Sequence, residues 1–267
     1  MALPPPSADT TCLITGASSG IGADIARSLA SRGHGVVLVA RREERLASLA
    51  EELSAAHSVR AETLSADLGD AAARKGMLKR LDGLGLQVGV LVNNAGFGSG
   101  GSFTDLDAER EAAMVRLNCE AVVALCGRFV PEMAERGSGA VLNVASVAAF
   151  QPIPRQATYA ATKAFVLSFT DSLHAELKGS GVTATALCPG PVKTEFGEEA
   201  GIGGIEDKVP RFMFTDSAFV AEQGVRGLEK GRRLAIPGRV NAATALGGQH
   251  APRGALLSLA SRFYPVR

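Results

Sequence analysis

Short apolar runs recur along this chain, and most are followed by a longer stretch with helical spacing. Thr11–Thr15, Gly35–Ala40, Val88–Val92, Ala140–Ala145 and Val182–Leu187 read as strands, and residues 60–65 alternate as another. Continuously apolar strands are those covered on both faces. The helical patterns run from the glycines near Gly20 to about Ser31, from Glu43 to about His57, from near Asp70 onward, from Asp107 to Arg136 as one long helix, and from Ala157 to Leu177. Strands alternating with helices predict an α/β fold with a parallel sheet, whose right-handed crossovers place helices on both faces. Ligands in such sheets bind beyond the carboxyl ends of the strands. The residues just after each strand are therefore the ones to read for chemistry.

After the first strand comes Thr15-Gly16-Ala17-Ser18-Ser19-Gly20-Ile21-Gly22. The glycines permit a tight turn and close backbone approach, and the helix that follows offers unpaired N–H groups to a pyrophosphate. The spacing is G-x-x-x-G-x-G rather than G-x-G-x-x-G. The second strand ends in Ala40-Arg41-Arg42. A carboxylate there would take a ribose 2′-hydroxyl, whereas guanidinium groups suit a 2′-phosphate. NADP(H) is therefore expected over NAD(H), with Arg41 the leading residue; the plainer reading of Arg42 is a solvated side chain opening the next helix. Asp67, before Leu68, could accept from an adenine amino group or cap the helix that starts near Asp70. The fourth strand runs into Asn93-Asn94-Ala95-Gly96, which could pin neighbouring backbone and leave room for a ligand, although turn chemistry alone explains such residues.

Tyr159 and Lys163 lie four apart on a predicted helix and so share a face. A phenol ordinarily titrates near ~10, and an adjacent ammonium favours the phenolate. Bringing it about three units down would need roughly 4 kcal/mol. A Tyr so tuned can exchange a proton with a substrate oxygen. Tyr and Lys at this spacing are more often a solvated face. Ser146 ends a strand thirteen residues before Tyr159 and could converge on it. Asn118 sits mid-helix, where Asn is disfavoured unless it makes a hydrogen bond. The sixth strand leads to Cys188-Pro189-Gly190-Pro191-Val192-Lys193-Thr194.

The chain has 267 residues, of which 46% are hydrophobic, enough for one large domain. A net charge of +1, no basic block and no Trp argue against nucleic acid as a partner. The four scattered cysteines read as reduced core residues of a cytoplasmic protein. Residues 1–9 lack the pattern of a signal peptide, and no apolar run reaches 18 residues. His34, His57, His174 and His250 show no ligand spacing, so no metal is expected.

Together, T-G-A-S-S-G-I-G at 15–22, N-N-A-G at 93–96, Asn118, Ser146, Y-x-x-x-K at 159–163 and P-G-P-V at 189–192 resemble the short-chain dehydrogenase/reductase family over about residues 10–195. The resemblance implies a single Rossmann-type three-layer domain with a seven-stranded parallel sheet, its last strand at Arg233–Ile236. It implies Tyr159 as general acid, Lys163 as its pKa-lowering partner and ribose ligand, Ser146 as the donor to the carbonyl, and Asn118 as holding a relay water through a local helix distortion. For the cofactor it implies Gly16, Ser18, Ser19, Gly20, Ile21, Gly22, Arg41, Arg42, Asp67, Leu68, Asn94, Ala95, Gly96, Tyr159, Lys163, Pro189, Gly190, Val192 and Thr194. It further implies a substrate lid at 195–216 between a flexible tail (1–9) and a C-terminal extension (240–267), and a homodimer or homotetramer.

The lid's Ile202, Ile205, Val209, Phe212, Met213 and Phe214, with Phe97, Phe150 and Ile153, suggest a hydrophobic carbonyl substrate, although ordinary packing of a surface helix explains the lid's apolar residues equally. The tail places Leu256, Leu259, Ala260 and Phe263 in an amphipathic stripe, which could rest on the core, a partner subunit or a membrane surface, the last being the least favoured. Its stretch 248–253 and the segment 229–238 resemble actinobacterial mycolate-type ketoreductases, making a long-chain β-oxo acyl group a candidate substrate. A non-catalytic NADP-sensing protein and an epimerase or dehydratase on the same fold stay open.

Overall fold

A computed structural model describes residues 3–200, 211–254 and 256–258, apart from the side chains of residues 198 and 211. Seven parallel strands form one sheet in the order β3-β2-β1-β4-β5-β6-β7. They are β1 (Thr10–Thr15), β2 (Gly35–Ala40), β3 (Ala61–Ser65), β4 (Gln87–Asn93), β5 (Gly139–Val144), β6 (Val182–Leu187) and β7 (Leu234–Ala235). The last strand is shorter than the expected Arg233–Ile236 because only Ala186–Leu187 of β6 pair with it. The order reverses between β1 and β4, and a cleft opens beyond the strand ends at such a reversal.

Alternate residues of each strand feed two separate cores, which is why the strands are apolar throughout. Leu13, Val37, Leu91 and Val141 face one layer, where they pack with Leu125 and Phe129 of α5 (Ala121–Glu135) and Val166 of α6 (Ala157–Glu176). Cys12, Ile14, Val36 and Leu142 face the other. There they meet Ile25 and Leu29 of α1 (Gly20–Ala30) and Leu46 and Leu53 of α2 (Glu43–His57), together with Val225 of the helix Ser217–Glu229. All four cysteines are buried free thiols, and burial pushes those of Cys126 and Cys188 up to about 12.

Two local expectations are corrected. Asp70, not Asp67, caps α3 (Ala71–Asp82), accepting from the Ala73 N–H at 2.6 Å. Asp67 instead accepts from the Gly69 N–H at 2.8 Å, closing the preceding turn. The long helix is not continuous: α4 (Ala108–Val115) and α5 flank a π-helical turn at Arg116–Glu120, with Asn118 at its centre. The wider turn is a single insertion in the helical repeat, which a 3.6-residue pattern does not reveal.

Leu3, in the segment read as a tail, packs against one core. Among the described residues no helix is long and apolar enough to cross a membrane. Of the C-terminal stripe, Leu256 is described; Leu259, Ala260 and Phe263 lie outside the described residues, as do Ile202, Ile205 and Val209 of the expected lid. Before the stripe, the helix Arg239–His250 places Ala245 in the core.

Candidate active site

The site is built from the glycine turn upward. Gly16 and Gly20 take φ of +66° and +54°, the left-handed region in which glycine costs least. A Cβ on Gly22 would lie 2.3 Å from the Gly16 carbonyl oxygen and 2.4 Å from Asn94 Nδ2. Ser19, at the N-cap of α1, makes no capping hydrogen bond and no acidic residue occupies the first turn, so the N-terminal N–H groups and the helix dipole face the cleft. This cradle fits a pyrophosphate.

Asn94 holds the turn in place. Its Nδ2 donates to the carbonyls of Thr15 (2.9 Å) and Gly16 (3.2 Å). Thr15 Oγ1 in turn accepts from the Asn94 and Ala95 N–H groups at 2.9 and 3.0 Å. Asn93 points away, into a buried chain of hydrogen bonds through Asn143 to Thr170. Of the two asparagines at this strand end, Asn94 is thus the one that shapes the site. Thr15 had no place among the expected site residues; its signal is a hydroxyl at the carboxyl end of the strand, directly before the glycine turn.

Arg42 is not merely solvated. Its Nε and Nη2 donate to Ser18 Oγ (3.1 Å) and Ser19 Oγ (2.7 Å). Arg41 is exposed along the cleft and makes no side-chain hydrogen bond or ion pair to the described residues. It remains available to an anion.

Lys163 reaches from α6 to the end of β5, donating to the Val144 carbonyl at 2.8 Å, and is only 6% exposed. That tie brings α6 against the strand end from which Ser146 follows, and so sets Ser146 beside Tyr159. Ser146 Oγ accepts from the Ala148 N–H at 3.1 Å and shares a side-chain hydrogen bond with Tyr159. Burial, the larger effect, pushes the Tyr159 phenol up to about 12, and the Ser146 hydrogen bond opposes it. Burial brings Lys163 down to about 8. The lowered phenol expected from the Tyr–Lys spacing is therefore not a property of the protein's own residues. The lysine spends its hydrogen bond on Val144 and stands 5.8 Å from the Tyr159 ring centre.

Asn118 is 1% exposed and lies behind the cleft. It clamps Phe97 by accepting from its N–H (3.2 Å) and donating to its carbonyl (3.0 Å), and also donates to Thr162 Oγ1 (3.1 Å). Both N–H donors of its amide are committed, and the distortion around it is the π turn. Every other expected catalytic or cofactor residue lines one cleft of about 510 Å³. Phe97, Ile153, Met213 and Phe214 join them. Phe150 does not; it packs in the core. Phe212 points to solvent.

Phe196 at the cleft and Arg110 beside it were not foreseen. Phe196, in the short helix Phe196–Glu199, lies against Tyr159 with ring centres 5.5 Å apart. Arg110 stacks over Phe97 and donates to the Glu199 carbonyl at 2.7 Å. Both contacts join segments remote in sequence, which no local pattern records. Among the described residues no group of three His, Cys, Asp or Glu could hold a metal ion.

The chain is 40% identical over 186 residues to sulfoacetaldehyde reductase 2 of Chromohalobacter salexigens, a match covering 69% of this chain and 73% of that one. In structure it resembles a short-chain dehydrogenase from Sphingobium yanoikuyae in complex with NADPH (TM-score 0.80, 35% identity, 97% and 96% of the two chains). It also resembles one from Burkholderia phymatum in complex with NAD (TM-score 0.79, 25% identity, 89% and 92%). Residues 10–202 match the family model for short chain dehydrogenases, and with that match the chain belongs to the short chain dehydrogenase family of oxidoreductases.

Proposed function

We propose that this protein is an NADP(H)-dependent reductase that converts a ketone or aldehyde carbonyl to an alcohol. The observation that carries the proposal is the meeting of Ser146, Tyr159 and Lys163 in the cleft that also holds the glycine turn. At about 12 the Tyr159 phenol is protonated at neutral pH, so it holds the proton that carbonyl reduction requires. When bound, the nicotinamide supplies the hydride that the carbonyl carbon receives. Ser146 donates to the carbonyl oxygen as negative charge grows there. Tyr159 passes its phenolic proton to the same oxygen. Lys163, tied to the Val144 carbonyl, holds α6 and with it Tyr159 beside Ser146. Asn118 keeps the Phe97 backbone and Thr162 in register behind this group.

Arg41 and Arg42 favour NADP(H) over NAD(H). Phe97, Ile153, Phe196, Met213 and Phe214 give the substrate end an apolar wall, which supports a hydrophobic substrate. A long-chain β-oxo acyl group, as in the mycolate-type ketoreductases that the tail resembles, is the narrowest form of that reading. Exposed Val115, Val123 and Phe165, on α4, α5 and α6, support self-association. The test of the cofactor reading is titration with NADPH and NADH beside Arg41→Asp. NADPH should bind more tightly, and the variant should lose that margin. Equal binding of both nucleotides by the wild type would refute it.

A further inference from the structure

The lid begins with a charge that the reaction does not use. Glu195 accepts from Arg42 Nη1 at 2.8 Å and, through both oxygens, from Arg45 Nη1 at 2.8 and 2.9 Å. Arg42 thus grips three oxygens at once: the hydroxyls of Ser18 and Ser19 on the glycine turn, and a carboxylate from the lid. The planar guanidinium fork accepts carboxylate and phosphate oxygens in the same geometry. We infer that Glu195 is an internal counter-anion on Arg42 that the 2′-phosphate of the cofactor displaces, and that Glu195 thereby sets the margin between phosphorylated and unphosphorylated nucleotides. This rests on the NADP(H) reading given above.

The arrangement suits exchange rather than permanent closure. Arg42 and Glu195 are each more than one-third exposed, so the pair is held loosely. A phosphate arriving with Glu195 in place would set two anions side by side on one guanidinium. Displaced from Arg42, Glu195 keeps Arg45 as its partner. The neighbouring Phe196 lies on Tyr159, so the exchange takes place one residue from the catalytic group.

The test is calorimetric titration of the full chain with adenosine 2′,5′-bisphosphate and with 5′-AMP, for wild type, Glu195→Gln and Glu44→Gln. Glu44 lies in the first turn of α2, so its variant removes the same charge nearby without touching an Arg42 hydrogen bond. Glu195→Gln should tighten the bisphosphate by about 1.5-fold to fivefold, the range an exposed ion pair allows. It should leave 5′-AMP unchanged, and Glu44→Gln should move the bisphosphate by less than half as much. Equal tightening in both variants would reduce the effect to general charge and overturn the inference. So would no change in Glu195→Gln, or weaker 5′-AMP binding, which would make Glu195 a ligand of the ribose hydroxyl. If wild type binds the two probes alike, the NADP(H) reading falls and takes this inference with it. A wild-type preference unaltered in Glu195→Gln removes the inference alone.

Discussion

Replacing Lys163 by Met should stabilise the unliganded protein at pH 7. The ammonium is buried, and burial holds its pKa at about 8 instead of 10.5. At about 1.4 kcal/mol per pH unit, keeping it charged in the fold costs about 3 kcal/mol. Met removes that cost and keeps most of the packing volume. It also removes the hydrogen bond to the Val144 carbonyl, a loss of about 1 kcal/mol. The net expectation is a gain of about 2 kcal/mol at pH 7.

The pH dependence is the sharper part of this prediction. Between pH 8 and 10.5 the unfolded chain binds the lysine proton more than the folded one does, so wild-type stability rises with pH relative to the variant. The charging cost is fully present below about pH 8 and gone by about pH 10.5. The variant's advantage should shrink across that window and reverse above roughly pH 9.5. Urea unfolding of both proteins at pH 7, 8.5 and 10 measures it, because the remaining titrations are common to both chains and cancel. A variant less stable than wild type at pH 7, by an amount that does not change with pH, would show that Lys163 is not penalised by burial.

Two further outcomes are expected. Tyr159→Phe should lower turnover by about 10²-fold or more while NADPH affinity in a fluorescence titration stays within about twofold; normal turnover would remove Tyr159 from the role of proton donor. Gly22→Ala should weaken or abolish nucleotide binding, because the new methyl would meet the Gly16 carbonyl and Asn94 Nδ2 within 2.4 Å; unchanged affinity would mean that the turn yields without cost.

Much of the site was legible because its residues follow strands. In a parallel sheet the strand ends share one edge, so the glycine turn, Arg41, Asp67, Asn93, Ser146 and Pro189 could be assigned to one place before any contact was known. Legibility failed where a side chain's direction mattered. Asn93 and Asn94 are adjacent and chemically identical, yet the strand turns them to opposite sides, one into the core and one onto the glycine turn. Phe150 and Phe97 looked alike as pocket residues, and only packing separates them.

The sequence by itself determined the layered α/β architecture, since burial on both faces demands continuously apolar strands and the helical period between them demands crossovers. It also determined the chemical inventory of the cleft. Tertiary structure alone decided how those groups are tuned. The Tyr159 phenol lies high and the Lys163 ammonium low because both are desolvated, and the spacing of two residues on a helix carries no information about the water around them. Likewise, the clasp of Glu195 by Arg42 and Arg45 joins residues 150 or more positions apart. Its existence depends on where the segment after Thr194 runs beside the glycine turn, which is a property of the folded chain and not of any local run of residues.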